Sequence, residues 1–283
     1  MTLAPNLAGT QCEPVNFAWE RDDVLLYAVA VGAGADDPTT ELALTTEDTG
    51  GVRTAVLPSF AEVITRKARV DLGSPDPASL VHAEQSVRLA APLPVSGWAR
   101  VTATVTDVVD LGSGALIRTE AHAADPETGA PLFSTVRSSF LKGAGGFGGE
   151  RPEPRPDPVP DREPDVVVTE RTAGNQALIY RLTGDRNPLC SDPAVAARGG
   201  YDRPILQGMC TFGFAARAVV AAVCDGDPSR IASLDARFTA PVYPGQTLTV
   251  SVWRTDDGAA FRVAVDDGAV VVDRGSATLF PVA

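Results

Sequence analysis

Lysine is almost missing from the 283 residues: Lys67 and Lys142 stand alone, and arginine carries the rest of the positive charge. Histidine is as scarce, with only His82 and His122. At a net charge of -12 the chain has little with which to neutralise the phosphates of a duplex, so nucleic acid is not expected as a partner. The 36 acidic residues are dispersed rather than gathered into a tail, which suits solubility. Of the four cysteines, Cys12, Cys190, Cys210 and Cys224, the closest two have thirteen residues between them. That spacing suits neither a metal site nor a disulfide framework, and four reduced thiols are expected, with no metal and no cofactor. No run approaches the roughly 18 apolar residues of a membrane helix. The N-terminus, MTLAPNLAGTQCEP, has neither the basic start nor the apolar core of a signal peptide. The expectation is a cytoplasmic protein, without a membrane partner.

What is present falls into two similar blocks. Residues 21 to 33, RDDVLLYAVAVGA, read as a helix, with Asp22 or Asp23 near its start and Gly32 and Gly34 near its end. From Leu80 to Leu141 the text turns to long β-rich runs separated by Gly-Ser-Gly and Pro-Glu-Thr-Gly, the pattern of an antiparallel meander. Residues 143–163 are crowded with glycine and then proline and read as a linker, flexible first and extended after. A phosphate-binding loop is not expected there, because no Gly-Lys-Ser/Thr ends the run. Beyond it come the strand-like DVVVTER, the short helical NQALIYRL, a turn-rich stretch, and a helix from Gly208 to Cys224. In that helix Met209, Phe212, Ala216, Val219 and Val220 recur at helical spacing. Strand-like runs follow at Ser233 to Thr239, Leu248 to Arg254, Ala259 to Val265 and Val270 to Phe280.

The two blocks keep step. Pro38 and Pro188 are 150 residues apart, as are Gly34 and Gly184, and Pro92 and Pro241 are 149 apart. A duplicated unit of about 150 residues is the simplest account. Each copy has helix followed by meander, an α+β arrangement in which a sheet wraps a helix.

The stretch from Tyr180 to Val219 holds most of the chemistry. Gly184, Asp185, Asn187 and Pro188 are turn formers, and Pro188 keeps Asn187 out of the helical region. Tyr180, Thr183, Gly184, Asp185, Asn187, Pro188 and Leu189 resemble the signature of the hydratase 2 group of MaoC-like enoyl-thioester hydratases, and residues 204–220 resemble that family's following helix. The resemblance implies a double hotdog: two hotdog units sharing one continuous antiparallel sheet, each wrapped round a helix. It assigns 1–142 to a degenerate first unit and 164–283 to the unit carrying the signature. In the first unit Ala35 stands opposite Asp185 and Asp37 opposite Asn187, so only the second keeps the pattern.

The resemblance further implies a lyase acting on an acyl-CoA or acyl-carrier-protein thioester, in fatty acid or polyketide metabolism, with a homodimer possible. Hydration of a 2-enoyl thioester needs a base for water, an acid for Cα, and donors for the thioester oxygen as it gains enolate charge. Carried over, Asp185 takes the carboxylate role, Asn187 orients, and the Gly208 amide meets the oxygen at a helix N-terminus. Tyr180, Gly184, Gln207 and Met209 are expected to contact substrate. The chain departs from the family twice: Cys190 and Gln207 stand where it has histidine. Since two positions have changed, Cys190 is read as natural divergence. A neutral thiol cannot relay protons as imidazole does, and a nucleophilic role would need a lowered pKa. Weakened or altered hydration is therefore expected, the alternatives being a non-catalytic acyl-thioester-binding protein or a hotdog thioesterase, since a shared fold does not fix the reaction. His82 is expected to pack near the junction of the halves and His122 on a strand surface, neither of them in the site.

Overall fold

The structure is a computed structural model and describes residues 7–73, 75–149 and 156–281. Residues 1–6, Ser74, residues 150–155 in the middle of the expected linker, and 282–283 lie outside the described residues.

Each half runs strand, three helices, then four strands. The first comprises β1 (Val15–Trp19), α1 (Arg21–Ala30), α2 (Leu42–Thr45), α3 (Ala61–Thr65), β2 (Leu80–Leu89), β3 (Gly97–Asp110), β4 (Gly114–Ala124) and β5 (Pro131–Lys142). The second comprises β6 (Val166–Arg171), α4 (Gln176–Tyr180), α5 (Pro193–Arg198), α6 (Gly208–Val223), β7 (Ile231–Phe238), β8 (Thr247–Thr255), β9 (Gly258–Val265) and β10 (Val270–Leu279). All ten strands form one sheet in the order β1-β3-β4-β5-β2-β7-β10-β9-β8-β6, so the halves have the same topology and meet where β2 pairs antiparallel with β7. This is the double hotdog. Arg88 closes the seam with an ion pair to Asp235 at 2.7 Å.

The meander strands alternate buried and exposed residues, as in Ala99, Val101, Ala103 and Val105 of β3, so one face of each coats the core. The central helix α6 is apolar nearly all round and correspondingly buried from Met209 to Val220. Gly213 lets α1 approach it: a Cβ there would lie 2.4 Å from Val31 Cγ1 and 3.0 Å from the Tyr27 hydroxyl. Arg217 fastens α6 to both halves, donating to Glu41 at 2.8 Å, Glu170 at 2.6 Å and the Val31 carbonyl at 2.8 Å.

Three features depart from the sequence reading. The first helix stops at Ala30, three residues short, because Gly32 takes a positive φ of 90° and turns the chain. β1, α2, α3 and α5 have no counterpart in that reading, being too short for periodicity to declare them. And the helix of the first half is much reduced: α3 spans five residues against sixteen in α6, its apolar text broken by Glu62 and followed at once by Arg66 and Lys67. Among the described residues no helix is long and apolar enough to cross a membrane.

Candidate active site

The signature builds a sequence of tight turns. Gly184 ends the 3₁₀ turn Arg181–Thr183 at φ 108°, a conformation that suits glycine. Asp185 Oδ1 then accepts from the Asn187 amide at 3.2 Å, and Asn187 Oδ1 accepts from the Leu189 amide at 3.1 Å, capping the 3₁₀ turn Pro188–Cys190. These bonds use one oxygen of each side chain. The second carboxylate oxygen of Asp185 and the Asn187 NH₂ have no partner among the described residues.

Asp185, Asn187, Cys190, Gln207, Gly208 and Met209 all line one cavity of about 880 Å³. Gly208 is the first residue of α6, and its amide has no acceptor among the described residues. A Cβ on Gly208 would rest 3.4 Å from the Phe238 ring, an ordinary contact, so packing against the sheet does not by itself demand glycine. Gln207 is buried and donates to the Ala177 carbonyl at 3.1 Å, while its Oε1 has no partner.

Two of the residues expected to contact substrate do not line this cavity. Tyr180 is fully buried and absent from the cavity wall: its ring meets Tyr27 edge to face at 6.2 Å and its hydroxyl accepts from Arg66 Nη2 at 3.1 Å. Gly184 is also absent from the wall, its role being the turn itself. The Cys190 thiol is buried, and burial, with the nearby Asp185 charge, pushes its pKa well up. A raised pKa favours the neutral thiol and speaks against a nucleophilic role.

The cavity also recruits residues that the sequence left aside. His82 lines it, against expectation, and so do Arg66, Arg69, Arg137 and Arg186. Arg66 belongs to a buried charged cluster in the first half: Glu62 accepts from Arg137 at 2.6 Å and lies 3.7 Å from Arg66 Nε. Glu62 and Arg66 interrupt the apolar text of α3, and that interruption was the signal available. Among the described residues no group of three or more His, Cys, Asp and Glu could hold a metal ion.

The sequence matches two family models, the MFE-2 hydratase 2 N-terminal domain over residues 17–143 and the MaoC like domain over 153–274. It is 44% identical over 289 residues to 3-hydroxyacyl-thioester dehydratase Y of Mycobacterium tuberculosis, covering 95% of this chain and 98% of that one. The chain belongs to the MaoC-like hydratase 2 family. A second relative, enoyl-CoA hydratase ChsH3 of the same organism, is 41% identical over 93% of this chain and 94% of its own length. Among solved structures, a MaoC-like dehydratase from Phytophthora capsici superposes with a TM-score of 0.84 at 29% identity, covering 97% of this chain and 96% of that one. The chain is thus a hydro-lyase of the hydratase and dehydratase class, whose members act on acyl thioesters.

Proposed function

We propose that this protein adds water reversibly across the double bond of a 2-enoyl thioester carried on coenzyme A or an acyl carrier protein, and does so with weakened chemistry because Cys190 replaces the signature imidazole. The observation that carries the reading is the convergence of the Asp185 carboxylate, the Asn187 amide and the uncommitted Gly208 N–H on one cavity. Asp185 takes a proton from water, the oxygen attacks Cβ, and the double-bond electrons move to Cα and on to the thioester oxygen. The Gly208 amide, at the positive end of a sixteen-residue helix, steadies the enolate charge. The proton held by Asp185 then goes to Cα.

Ala103, Ala121 and Thr135 of the first half, with Glu62 and Thr65 of α3, line the same cavity as Asp185, and a cavity drawn from both halves favours an extended acyl chain. Arg69 and Arg186 are exposed at the same cavity, with no ion pair among the described residues, and suit the phosphates of the thioester carrier. The same reading takes 1–142 as the first unit, 143–163 as the linker and 164–283 as the site-bearing unit, in keeping with the two family matches. It includes a homodimer, for which the outer edges of β1 and β6 speak, and a cytoplasmic setting, for which kinship with bacterial proteins speaks, although another relative is named as peroxisomal.

The test is loss of enoyl absorbance with 2-enoyl-CoA substrates of increasing length, for the wild type and Asp185→Asn. The variant is expected to lose turnover while still binding the thioester. Equal rates for the two proteins would refute the role of Asp185. Binding without turnover by the wild type would make it an acyl-thioester-binding module.

A further inference from the structure

The chain has two imidazoles, and only one is near the chemistry. His122 on β4 is 62% exposed and pairs with Glu120 at 3.2 Å. His82 on β2 lines the cavity that holds Asp185 and Gly208. Its position depends on a β-bulge. In the pairing of β2 with β5, His82 lies opposite Ser139 and Glu84 opposite Ser138, leaving Ala83 as an extra residue. Simple alternation would set His82 on the face of Glu84 and Ser86. The extra residue moves it to the other face, with Gln85 and Val87, because their partners Ser139, Arg137 and Thr135 all share one face of β5, and those three line the cavity together with His82.

Contacts fix the ring. It meets Phe238 edge to face at 5.1 Å, and Phe238 in turn lies against Gly208. His82 Nε2 is 3.1 Å from the Glu84 carbonyl. A carbonyl only accepts, so the tautomer that bonds Glu84 has its proton on Nε2 and its lone pair on Nδ1, and the Gln85 side chain is a second hydrogen-bonding neighbour of the ring. Burial and then the Arg137 charge, partly offset by Asp185, bring the imidazole down to about 3, so that it stays neutral across the working range.

We propose that His82 is a catalytic residue of the hydration, its Nδ1 accepting a hydrogen bond from the water whose other proton passes to Asp185, so that the first half supplies the imidazole missing at Cys190. The inference rests on the function proposed above. The atoms balance without a second base: one water O–H bond breaks as Asp185 is protonated, the O–Cβ bond forms, and the same proton later reaches Cα. His82 is neutral throughout and orients the lone pair of the attacking oxygen. A weakly basic ring is enough for that task, and it supplies less than a proton-relaying histidine would.

Asparagine and glutamine separate this role from a structural one. The Asn amide reaches about as far as Nδ1, and the Gln amide about as far as Nε2, toward the Glu84 carbonyl. Steady-state hydration of 2-enoyl-CoA by the wild type, His82→Asn, His82→Gln and a His122→Gln control is the experiment, with thermal unfolding of each. His82→Gln is expected to lower kcat by roughly 10²-fold with KM little changed, His82→Asn by clearly less, and His122→Gln not at all. In a Cys190→His background, the loss caused by His82→Gln should shrink, since the water regains an imidazole. If the ring merely braces the bulge, His82→Gln is the better replacement and stability tracks activity, and the proposal is wrong. A wild-type kcat in His82→Gln, with activity still lost in Asp185→Asn, overturns His82 alone. A wild type that hydrates nothing overturns the function and this role together.

Discussion

His82 of β2 and Phe238 of β7 meet edge to face across the seam between the two halves, ring centroids 5.1 Å apart and planes at 64°. The contact places an imidazole from the half without a signature in the wall of the cavity that the signature also lines. It also keeps water from much of the ring, and that has a consequence for stability. In the folded chain His82 titrates at about 3, lowered by burial first and by Arg137 next. In the unfolded chain an imidazole titrates near 6.5. Between those values the unfolded chain takes up a proton that the folded chain refuses, so acidification through this window favours unfolding. The slope from this one group is at most about 1.4 kcal/mol per pH unit. Replacing His82 by Gln should flatten the decline between about pH 6 and 4, relative to wild type, in urea unfolding followed by circular dichroism. Parallel curves for the two proteins would mean that the ring is not held neutral.

Restoring the signature tests the reading of Cys190. Its neutral thiol neither donates nor accepts strongly, and burial keeps it from ionising. Cys190→His, alone or with Gln207→His, is expected to raise kcat for 2-enoyl-CoA hydration by on the order of 10²-fold, the usual contribution of a placed acid or base. A wild type already as fast as the restored protein would show that Cys190 is no handicap.

Long elements were legible in the sequence, and of the short ones only β6 and α4 were. The meander strands and α6 carry ten or so residues of consistent period, and two pairs of prolines, 150 and 149 residues apart, pointed to the duplication. The turn from Gly184 to Cys190 was legible because Gly, Asp, Asn and Pro each impose a local conformation. His82 was not, for a physical reason: one extra residue at Ala83 reverses which face a side chain takes, and no pattern in VHAEQS marks a bulge. Tyr180 misled in the opposite sense. It sits inside the signature, yet its hydroxyl is spent on Arg66, a residue more than a hundred positions earlier.

Arg217 carries a prediction about how the halves are held. It is 9% exposed and joins Glu41, Glu170 and the Val31 carbonyl from the middle of α6. Arg217→Met keeps the length of the side chain and removes the charge, which strands Glu170 half-buried beside a carbonyl. Breaking one side of a buried pair typically costs about 3 kcal/mol or more. Chemical denaturation should report a loss of that order, and Arg217→Met with Glu170→Gln should recover part of it. A loss below about 1 kcal/mol, typical of a surface pair, would show that the network is solvated.

The last prediction concerns the carrier. Arg69 and Arg186 are exposed at the cavity in a chain of net charge -12, and neither has an ion pair among the described residues. Charges that neutralise ligand phosphates act on binding rather than on the chemical step, so their loss should appear in KM with kcat held. Arg69→Gln with Arg186→Gln is expected to raise KM for a 2-enoyl-CoA several-fold, and raised salt should weaken wild-type binding more than binding by the double variant. The same enoyl group on a short N-acetylcysteamine thioester has no phosphate. For that substrate the two proteins should have the same kcat/KM. A parallel loss on both substrates would mean that the arginines shape the cavity and do not meet the carrier.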